Sequence, residues 1–464
     1  MNLTDHLKEK ILLKSIYLPN HDVLKFKDAI EFAEKAHIGQ FRLSGEPYIY
    51  HPLSVSEILL DYKADVGLLI AALLHDVVED TDFSILDIEE KFGKDISLIV
   101  DGLTKIKKGR LNKEEFEATN IEKLILTSEK DIRVAIIKIA DRVHNMRTLS
   151  VKKIEKKIPY ANETLNFFVP LAEKLGLYHF KNELEELAFE YAPYYHTAKK
   201  MFDNYNAFFL PNLAIIKREL QSISTDANFT IDYKRQSVYS SLSLIHEGFH
   251  FSDSFEINII VDSVMDCYYF LGIIHQTFTP IEHRFEDNIA IDKSLFQKKL
   301  ITKVNIHNME VGISIQSKEH FLINELGVFY YINDRLNMEA IKGLIFKNKI
   351  QQIKQLSLSP IEFADYFSFE MLQKGITVFT PKMDTITLPI GSTVMDFGFA
   401  LNPLLAKRMK QVIINGNIKP FETKLNNMDV IEMIVSDKET IQSDWLNFAT
   451  TSTSVNEINR LLKN

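Results

Sequence analysis

The sequence is almost without cysteine: Cys267 is the only thiol among 464 residues. One cysteine cannot form a disulfide within the chain or build a thiolate metal site, so both are excluded. The sequence also lacks an apolar stretch of membrane-spanning length and an apolar N-terminal segment of the kind found in secretion signals. These absences predict a soluble, cytoplasmic protein that does not associate with membranes.

An excess of positive charge is also missing. The net charge is -9 and the sequence pI is about 5.9, which argues against broad nucleic-acid binding because that function needs clustered Lys and Arg. A local basic pocket for a small phosphorylated ligand stays compatible with this balance. With 46% hydrophobic and 25% charged residues, the composition is that of a globular protein with two to four domains.

Three hydrophobicity patterns follow one another along the chain and predict a multidomain protein. The first is helical. The second has a predicted helix at KRQSVYSSLSLIHEG, beginning at Lys234, then a strand at FEINIIVD, a helix at CYYFLGIIHQTF and further strand candidates. The third has short strands punctuated by Pro and Gly. We therefore expect an all-α domain, an α+β domain and a small β-rich domain. The predicted ranges are 1–195 for the all-α domain, 196–340 for the α+β domain, 341–371 for a helical connector, 372–436 for the β-rich domain and 437–464 for a helical tail.

The most informative segment of the first domain is LLIAALLHDVVED, which is apolar on all sides before its polar end. It predicts a buried helix whose last turn reaches into a cavity. On a continuous helix, spacing of four residues would stack His75 with Glu79 and Asp76 with Asp80. Four ionisable groups would then share one helix end.

A second apolar helix, predicted from IIKIADRVHNMRTL, carries Asp141, Asn145 and Thr148 along one stripe that could face the first helix. A single His-Asp pair is usually just a hydrogen-bonded helix end. Several inward-facing ionisable groups on separate apolar segments need a partner, because burying an unpaired charge is costly. A metal ion is the partner that fits.

The candidate metal ligands are two imidazoles and two carboxylates, from His51, His75, Asp76 and Asp141. This donor set favours Mn²⁺, Fe²⁺ or Zn²⁺ over Ca²⁺, and the absence of thiolate argues against a purely structural zinc site. A divalent ion lowers the pKa of water and neutralises phosphate charge, which suits phosphoester hydrolysis. Glu79 and Asp80 would orient or deprotonate that water.

Three motifs in order, HIGQFRLSGEPYIYHP, ALLHDVVEDT and IKIADRVHNMRTL, resemble the hydrolase domain of the RelA/SpoT homologues. These are members of the HD phosphohydrolase superfamily that act on the alarmone (p)ppGpp, and ANETLNFFVPLAEKLGLYHFKNELEELAF continues the resemblance. It implies Mn²⁺ at the four candidate ligands. It also implies removal of the 3′ pyrophosphate from ppGpp, yielding GDP and pyrophosphate.

The resemblance also implies a nucleoside pocket. Arg42 is similar to the family residue that stacks on guanine, a role that suits the planar guanidinium, and Ser44, Asn145 and Thr148 match positions that line the pocket. One residue departs from the pattern, because Leu43 stands where the family commonly has Lys. Three further motif residues have helix packing or salt bridges as the alternative to a site role: Arg142, His144 and Arg147.

The second region resembles the family's nucleotidyltransferase-like pyrophosphokinase domain in its framework but not in its chemistry. The segment 292–301, DKSLFQKKLI, replaces a Pro-Lys and Asn-Gly-Tyr-Gln-Ser-Leu-His run. Gly312 and Ser314 replace a Gln and an Arg, Asn258 replaces another Arg, and Asp253 matches a magnesium-binding Asp. Phosphoryl transfer depends on placed cations, so we expect a pseudo-synthetase with a regulatory or scaffolding role.

The third region resembles the TGS domain, a β-grasp module, through VFTPKMDTITLPIGSTVMDFGFAL and VIINGNIKPFETKLNNMDVIEMIVS. Asn402 stands where family members that contact tRNA have a His, and the chain ends at Asn464 without the further domains of long family members. Both features argue against ribosome-linked or tRNA binding. The sequence predicts no particular oligomeric state.

Two alternatives to a ppGpp hydrolase stay open at this point. One is a metal-dependent hydrolase of another 3′-phosphorylated nucleotide, suggested by Leu43. The other is a catalytically idle alarmone-binding regulator, against which the presence of both Glu79 and Asp80 argues.

Overall fold

The computed structural model describes residues 3–192, 195–223, 228–241, 251–291, 294–332, 343, 345–346, 349–372, 375–382, 385–426 and 429–462. The chain divides into two compact units. The first comprises 1–104 and 133–341, and the second comprises 105–132 and 342–464. Within the described ranges, no helix is both long and apolar enough to cross a membrane.

The N-terminal part of the chain is helical, as the sequence predicts. Its helices are α1 Leu3–Lys14, α2 Asn20–Ala36, α3 Tyr50–Leu60, α4 Val66–Leu74, α5 Val77–Asp80, α6 Ile85–Phe92, α7 Lys94–Leu103, α8 Lys113–Lys130, α9 Arg133–Arg147, α10 Ile154–Glu163, α11 Val169–Lys174, α12 Tyr178–Phe189 and α13 Tyr195–Gln221. All of them belong to the first unit except α8. Short 3₁₀ turns occupy Ser15–Tyr17 and Leu149–Val151, and a π-helical turn occupies Thr164–Phe168.

Helix α4 forms the centre of this helical part because its sequence is wholly apolar and seven of its residues, 68–74, are buried. The side chain of Asp65 caps its N-terminus by accepting a hydrogen bond from Leu68 N at 2.9 Å. The predicted continuous helix through Asp80 is wrong in one respect. The regular helix ends at Leu74, and α5 begins at Val77. His75 and Asp76 lie between the two helices, because the His75 ring bonds to the carbonyl oxygen of Ala72.

The rest of the first unit is built on a six-stranded sheet. Its strands are β1 Phe229–Arg235, β2 Phe255–Val261, β3 Thr279–Pro280, β4 Glu286–Asp287, β5 Leu300–Ile306 and β6 Met309–Ser317. The strand order is β1-β2-β6-β5-β3, with β4 also paired to β5. Strands β2 and β6 are parallel, and the other pairs are antiparallel. The helices in this part are α14 Val264–Thr277, α15 Lys318–Leu326 and α16 Phe329–Ile332.

One face of this sheet packs on α13 and α14, with Ile257 and Ile259 of β2 in the same buried cluster as Phe209 and Phe270. The strand at FEINIIVD and the helix at CYYFLGIIHQTF follow their predictions. The predicted helix beginning at Lys234 is wrong at its start, because β1 continues to Arg235 where it pairs with Phe255 of β2. Residues 242–248 of that predicted helix and 292–293 of the DKSLFQKKLI segment lie outside the described residues.

The second unit combines α8 with the C-terminal part of the chain. Its other helices are α17 Lys349–Leu356, α18 Pro360–Phe367, α19 Val394–Leu401, α20 Pro403–Ala406 and α21 Ser452–Leu462, with a π-helical turn at Ser368–Leu372 and a 3₁₀ turn at Ser443–Asn447. The side chains of Lys354 and Glu122 form an ion pair between α17 and α8. Helix α8 therefore belongs by its contacts to the C-terminal part, although its sequence lies between two motifs of the helical domain.

Small sheets form the β-rich part of the second unit, as predicted. Strands β7 Gly375–Phe379 and β8 Thr385–Pro389 form a hairpin, and β9 Met409–Ile414, β10 Asn417–Lys419 and β11 Ile431–Val435 form a three-stranded sheet in the order β10-β9-β11. Their core contains Phe397 of α19 and Trp445, both almost fully buried. Trp445 is thus a packing residue.

Candidate metal centre

His51 lies in the first turn of α3 and is buried, with 2% of its surface exposed. Its Nε2 atom lies 3.2 Å from Oδ1 of Asp141, and its Nδ1 atom lies 2.8 Å from Nδ1 of His144. Nη1 of Arg42, which can only donate, lies 3.2 Å from the same His144 nitrogen. Nδ1 of His144 is therefore the acceptor, so the hydrogen of His51 is on Nδ1 and its Nε2 lone pair faces Asp141.

His75 presents its ring in the same way from the break between α4 and α5. Its Nδ1 atom lies 2.8 Å from the carbonyl oxygen of Ala72 and donates to it. The lone pair of His75 is consequently on Nε2, a buried atom that has no hydrogen-bond partner among the described residues and lies 3.9 Å from Oδ1 of Asp141. A buried acceptor aimed at a carboxylate needs a positive charge between them.

His51, His75 and Asp141 form a compact group whose ligand atoms all lie within 4.8 Å of one another. Two ligands about 2.1 Å from one ion are themselves about 3.0–3.6 Å apart at ordinary coordination angles. The distances of 3.2 and 3.9 Å from Asp141 to the two histidines are close to that range. The donor types and their spacing therefore fit a divalent metal ion.

The fourth predicted ligand, Asp76, lies beside this group. Its Oδ2 atom is 3.5 Å from Nε2 of His51, and its Oδ1 atom is 3.3 Å from Nε2 of His75. Burial alone would raise the pKa of Asp76, but the neighbouring rings of His75 and His51 hold that pKa below its usual value. The Asp76 carboxylate is thus ionised and close enough to share an ion.

Asp141 lies on α9, where its second oxygen is held by Lys138 one turn earlier. Nζ of Lys138 lies 2.8 Å from Oδ2 of Asp141, and the amide of Asn145 donates to Oδ1. Burial alone would raise the pKa of Asp141, but the Lys138 ammonium and the His51 ring keep it well below its usual range. The carboxylate stays charged, with one oxygen directed at the histidines.

The rings of His51 and His144, which bond to each other, differ in their surroundings but share one electrostatic outcome. Burial lowers the pKa of His51 despite the nearby Asp141. Burial, together with repulsion from His51 and Arg42, lowers the pKa of His144 to about 3. Both rings are therefore neutral near pH 7, which is the state that metal ligation and the hydrogen bond between them require.

The two acids predicted for proton transfer lie on the short helix α5. Asp80 is fixed by Tyr48, whose hydroxyl lies 2.7 Å from Oδ2 of Asp80 and 2.8 Å from Oδ2 of Asp76. Glu79 is exposed on the same helix, next to Asp80. Asp80 is exposed as well, but Tyr48 connects it to the candidate metal ligand Asp76.

The predicted nucleoside residues are only partly assembled around this centre. Arg42 joins α9 through Nη1 to His144 and through Nη2 to Oδ1 of Asn145 at 2.8 Å. Thr148 follows α9 and bonds to the carbonyl oxygen of His144 at 3.1 Å. Ser44 is exposed in the turn between the Phe41 and Pro47 bridge residues. Arg42, Asn145 and Thr148 thus lie around one helix, while Ser44 lies at the surface.

Arg142 and Arg147, the other basic residues of the motif, have packing roles. The Arg142 guanidinium carbon lies 3.9 Å from the ring centroids of both Tyr160 and Phe168, and its Nη2 donates to Glu163 at 2.9 Å. Arg147 is paired with Glu183 through two nitrogens.

Four residues in or beside the centre were not among the site residues predicted from the sequence: Tyr48, Lys138, Lys152 and His144, of which His144 belongs to a motif that left a site role and helix packing open. A signal existed for two of them. Lys138 precedes Asp141 by three residues, which is about one turn of α9. Tyr48 precedes His51 by three residues, just before α3 begins. Both are therefore close in sequence to a candidate ligand. The contacts of His144 and Lys152 join segments distant in sequence, which spacing does not reveal.

The region of the six-stranded sheet predicted to correspond to a synthetase site contains a lysine, Lys303, whose charge is balanced by neighbouring acids. Lys303 lies 2.9 Å from Asp253 and 2.7 Å from Glu310. The Ser314 hydroxyl donates to the amide oxygen of Asn258. Lys303 is therefore paired with acids of its own region, and positions 258 and 314 carry short neutral side chains.

Two protein-family models match parts of the chain. The HD domain family model matches residues 29–178, and the TGS domain model matches residues 376–435. A solved structure of a metazoan SpoT orthologue described as hydrolysing ppGpp shares 30% identity, covering 38% of this chain and 98% of that one, with a TM-score of 0.32.

Curated relatives match nearly the whole chain. The bifunctional (p)ppGpp synthase/hydrolase SpoT of Escherichia coli K12 is 33% identical over 97% of this chain and 66% of its own length. A guanosine-3′,5′-bis(diphosphate) 3′-pyrophosphohydrolase of Vibrio cholerae is 31% identical over 100% of this chain and 68% of its own length, and a GTP pyrophosphokinase of Myxococcus xanthus is 32% identical over 97% and 62%. The chain thus spans about two thirds of the length of these relatives. It belongs to the RelA/SpoT family of (p)ppGpp synthases and hydrolases.

Proposed function

We propose that the chain is a Mn²⁺-dependent (p)ppGpp 3′-pyrophosphohydrolase that converts ppGpp to GDP and pyrophosphate and has lost synthetase activity. The observation that carries the proposal is the convergence of three lone-pair atoms without a hydrogen between them: Nε2 of His51, Nε2 of His75 and Oδ1 of Asp141. A neutral protein interior does not tolerate that arrangement without a cation.

His51, His75, Asp76 and Asp141 would hold the ion. A mixed nitrogen and carboxylate donor set without thiolate suits Mn²⁺. When bound, the ion supplies Lewis acidity at the phosphoryl oxygens and lowers the pKa of water. The surrounding residues set the geometry: Lys138 fixes one oxygen of Asp141, and the ring hydrogen of each histidine is directed away from the ion site.

Glu79 and Asp80 are assigned the proton transfer. The Tyr48 hydroxyl holds the Asp80 carboxylate next to Asp76, so Asp80 is positioned to orient the attacking water. Glu79, at the solvent-facing side of α5, would accept its proton. The bond from the 3′ oxygen of the ribose to the pyrophosphate then breaks, and the leaving oxygen takes up a proton.

Arg42, Ser44, Asn145 and Thr148 are assigned the nucleoside. Arg42 is bonded only to neutral groups, His144 and Asn145, in the part of the chain that the structure describes. Its charge is therefore uncompensated, and its planar group suits stacking on guanine.

The loss of synthesis is supported by the sheet face described above. Phosphoryl transfer requires cations and metal ligands directed at the nucleotide. Here Lys303 is paired with Asp253 and Glu310, and the Ser314 hydroxyl donates to the amide oxygen of Asn258, so no cation stands at either of these two positions. Such a face favours a scaffolding or regulatory domain.

The domain ranges predicted from the sequence stay our proposal, as does a cytoplasmic location. tRNA contact through the TGS domain is not part of this function, because the Asn402 side chain is used to cap α20 by accepting from Leu404 N at 2.9 Å.

The test is incubation of the pure protein with ppGpp and Mn²⁺, with ATP plus GDP as a parallel reaction, followed by nucleotide chromatography. We expect GDP and pyrophosphate in the first reaction and no ppGpp in the second. The variant Asp141→Ala should abolish turnover, and Asp28→Ala, an exposed acid on α2, should not. Formation of ppGpp in the parallel reaction would refute the loss of synthetase activity.

A second candidate is hydrolysis of a different 3′-phosphorylated nucleotide. It is favoured by Leu43, which is 84% exposed beside Arg42 and offers no charge to a substrate phosphate. Turnover of such a nucleotide with ppGpp left intact would replace the substrate assignment. Tight ppGpp binding without any turnover would instead indicate an alarmone-binding regulator.

A further inference from the structure

Lys152 lies at the edge of the proposed nucleoside pocket, four residues after Thr148 and directly after the 3₁₀ turn Leu149–Val151. Its Nζ atom lies 4.7 Å from the ring centroid of Tyr160. The guanidinium carbon of Arg142 lies 3.9 Å from the same centroid. A cation–π contact therefore holds the Lys152 ammonium in a defined place.

The charge of Lys152 is not balanced. Arg142 is paired with Glu163, whereas neither Lys152 nor Arg42 has a carboxylate partner in the described ranges of the chain. Burial, together with repulsion from Arg42 and Arg142, lowers the pKa of Lys152. A half-buried ammonium near two guanidinium groups costs free energy in the empty pocket, and an anion placed between these cations would recover it.

We propose that Lys152 binds the 5′-diphosphate of the substrate. This inference rests on the proposed hydrolase function, which assigns the 3′-diphosphate to the metal centre and the base to Arg42. The 5′-diphosphate is the remaining anion of such a substrate. Lys152 is a cation next to the proposed nucleoside residues, and it forms no ion pair with a carboxylate among the described residues. An ammonium held on an aromatic ring suits a diphosphate as a fixed point charge.

The residue next to Arg42 also supports a role for Lys152 in recognising the substrate phosphates. Leu43, adjacent to Arg42, is 84% exposed and cannot contact phosphate through charge. The turn around residue 43 therefore offers no cation besides Arg42, which is assigned to the base. Lys152 supplies one from the opposite segment, after α9.

Three variants test the assignment. Lys152→Met removes the charge at similar length, Lys152→Arg keeps it, and Lys153→Met removes the charge of the exposed neighbouring lysine. Steady-state kinetics would compare ppGpp with guanosine 3′-diphosphate, which has the same reacting group but no 5′ phosphates. Calorimetric binding of ppGpp to the metal-free protein gives a second readout that does not depend on turnover.

We expect Lys152→Met to raise KM for ppGpp about tenfold or more with kcat changed less than about twofold, because the contact is equally strong in ground and transition state. KM for guanosine 3′-diphosphate should change less than about twofold, Lys152→Arg should restore most of the affinity for ppGpp, and Lys153→Met should resemble the parent protein.

Equal effects of Lys152→Met on both substrates would overturn the assignment to the 5′ end, and so would no effect on either. A fall in kcat with unchanged KM would also overturn it, since that result indicates a structural effect on the metal centre. Failure of the parent protein to hydrolyse ppGpp at all would instead refute the proposed function, which separates the two failures.

Discussion

The guanidinium of Arg42 and the ring of His51 bond to one and the same atom, Nδ1 of His144, at 3.2 and 2.8 Å. Arg42 belongs to the proposed nucleoside pocket and His51 to the metal centre, so His144 connects the two parts of the site. Because His144 accepts from His51, it also determines which nitrogen of His51 is free to bind a metal.

Replacement of His144 by Ala should therefore weaken metal binding, although His144 is not a ligand. Loss of a hydrogen-bond partner behind a ligating histidine lowers metal affinity about 10- to 100-fold. Calorimetric titration with Mn²⁺ measures this, and His144→Asn, which keeps an acceptor oxygen near the position of Nδ1, should lose less. Unchanged Mn²⁺ affinity in His144→Ala would contradict the role assigned to this hydrogen bond.

Substitutions at Asp141 and Glu79 should distinguish the loss of metal binding from the loss of the hydrolytic step. Asp141→Ala removes a carboxylate that faces both histidines, so we expect it to lose bound metal and turnover together. Glu79→Gln leaves the buried group untouched and removes only a base, so metal content should match the parent protein while kcat falls at least about 100-fold. Metal analysis and single-turnover kinetics check both. Equal loss of metal in the two variants would show that Glu79 is a ligand.

The metal centre was predictable from the sequence because its residues violate the ordinary hydrophobic pattern. His75 and Asp76 end an apolar helix, and Asp141 lies inside another, where polar residues need a partner. The hydrogen bonds behind the ligands were not predictable in the same way. The contact between His51 and His144 joins positions 93 residues apart, and only the packing of α3 on α9 brings them together.

Local conformation accounts for the differences in the fold. The helix through Asp80 is interrupted because the His75 ring bonds to the Ala72 carbonyl oxygen, a side-chain contact that hydrophobic periodicity does not contain. Lys234 lies in a strand instead of a helix because β1 pairs with β2, where Glu256 is the residue opposite Lys234. Helix α8 packs in the second unit through contacts such as Glu122 with Lys354, which are far apart in sequence.

Tyr48 should be required for full activity but not for folding. Burial and the nearby Asp76 raise the pKa of its hydroxyl, so it stays protonated, and its one hydrogen is shared between the carboxylate oxygens of Asp76 and Asp80, 2.8 and 2.7 Å away. Tyr48→Phe frees Asp80, and we expect kcat to fall about tenfold, as for loss of one charge-assisted hydrogen bond. The free energy of unfolding, measured in urea, should fall by about 1 kcal/mol or less.

The control for this variant is Tyr50→Phe, which alters a nearby tyrosine on α3. Among the described residues, the Tyr50 ring makes only a tilted contact with the ring of His144, at 6.4 Å between centroids. The kcat of Tyr50→Phe should stay near that of the parent protein. If Tyr48→Phe is as active as Tyr50→Phe, the activity does not depend on the hydrogen bond between Tyr48 and Asp80.

Gly176 should tolerate substitution far less well than Gly39, because two separate costs coincide there. Its φ of +70° is unfavourable for any residue with a Cβ, and a Cβ at this position would lie 2.6 Å from Cβ of Phe296. Gly39 has a similar φ of +78° but open space within 4 Å. We expect Gly39→Ala to cost about 1 kcal/mol from backbone strain alone and Gly176→Ala about 3 kcal/mol or more from strain plus overpacking. Urea unfolding followed by far-ultraviolet circular dichroism measures both. Equal destabilisation of the two variants would mean that the α11–α12 turn relaxes away from Phe296, and the packing of that ring against the turn would then contribute little to stability.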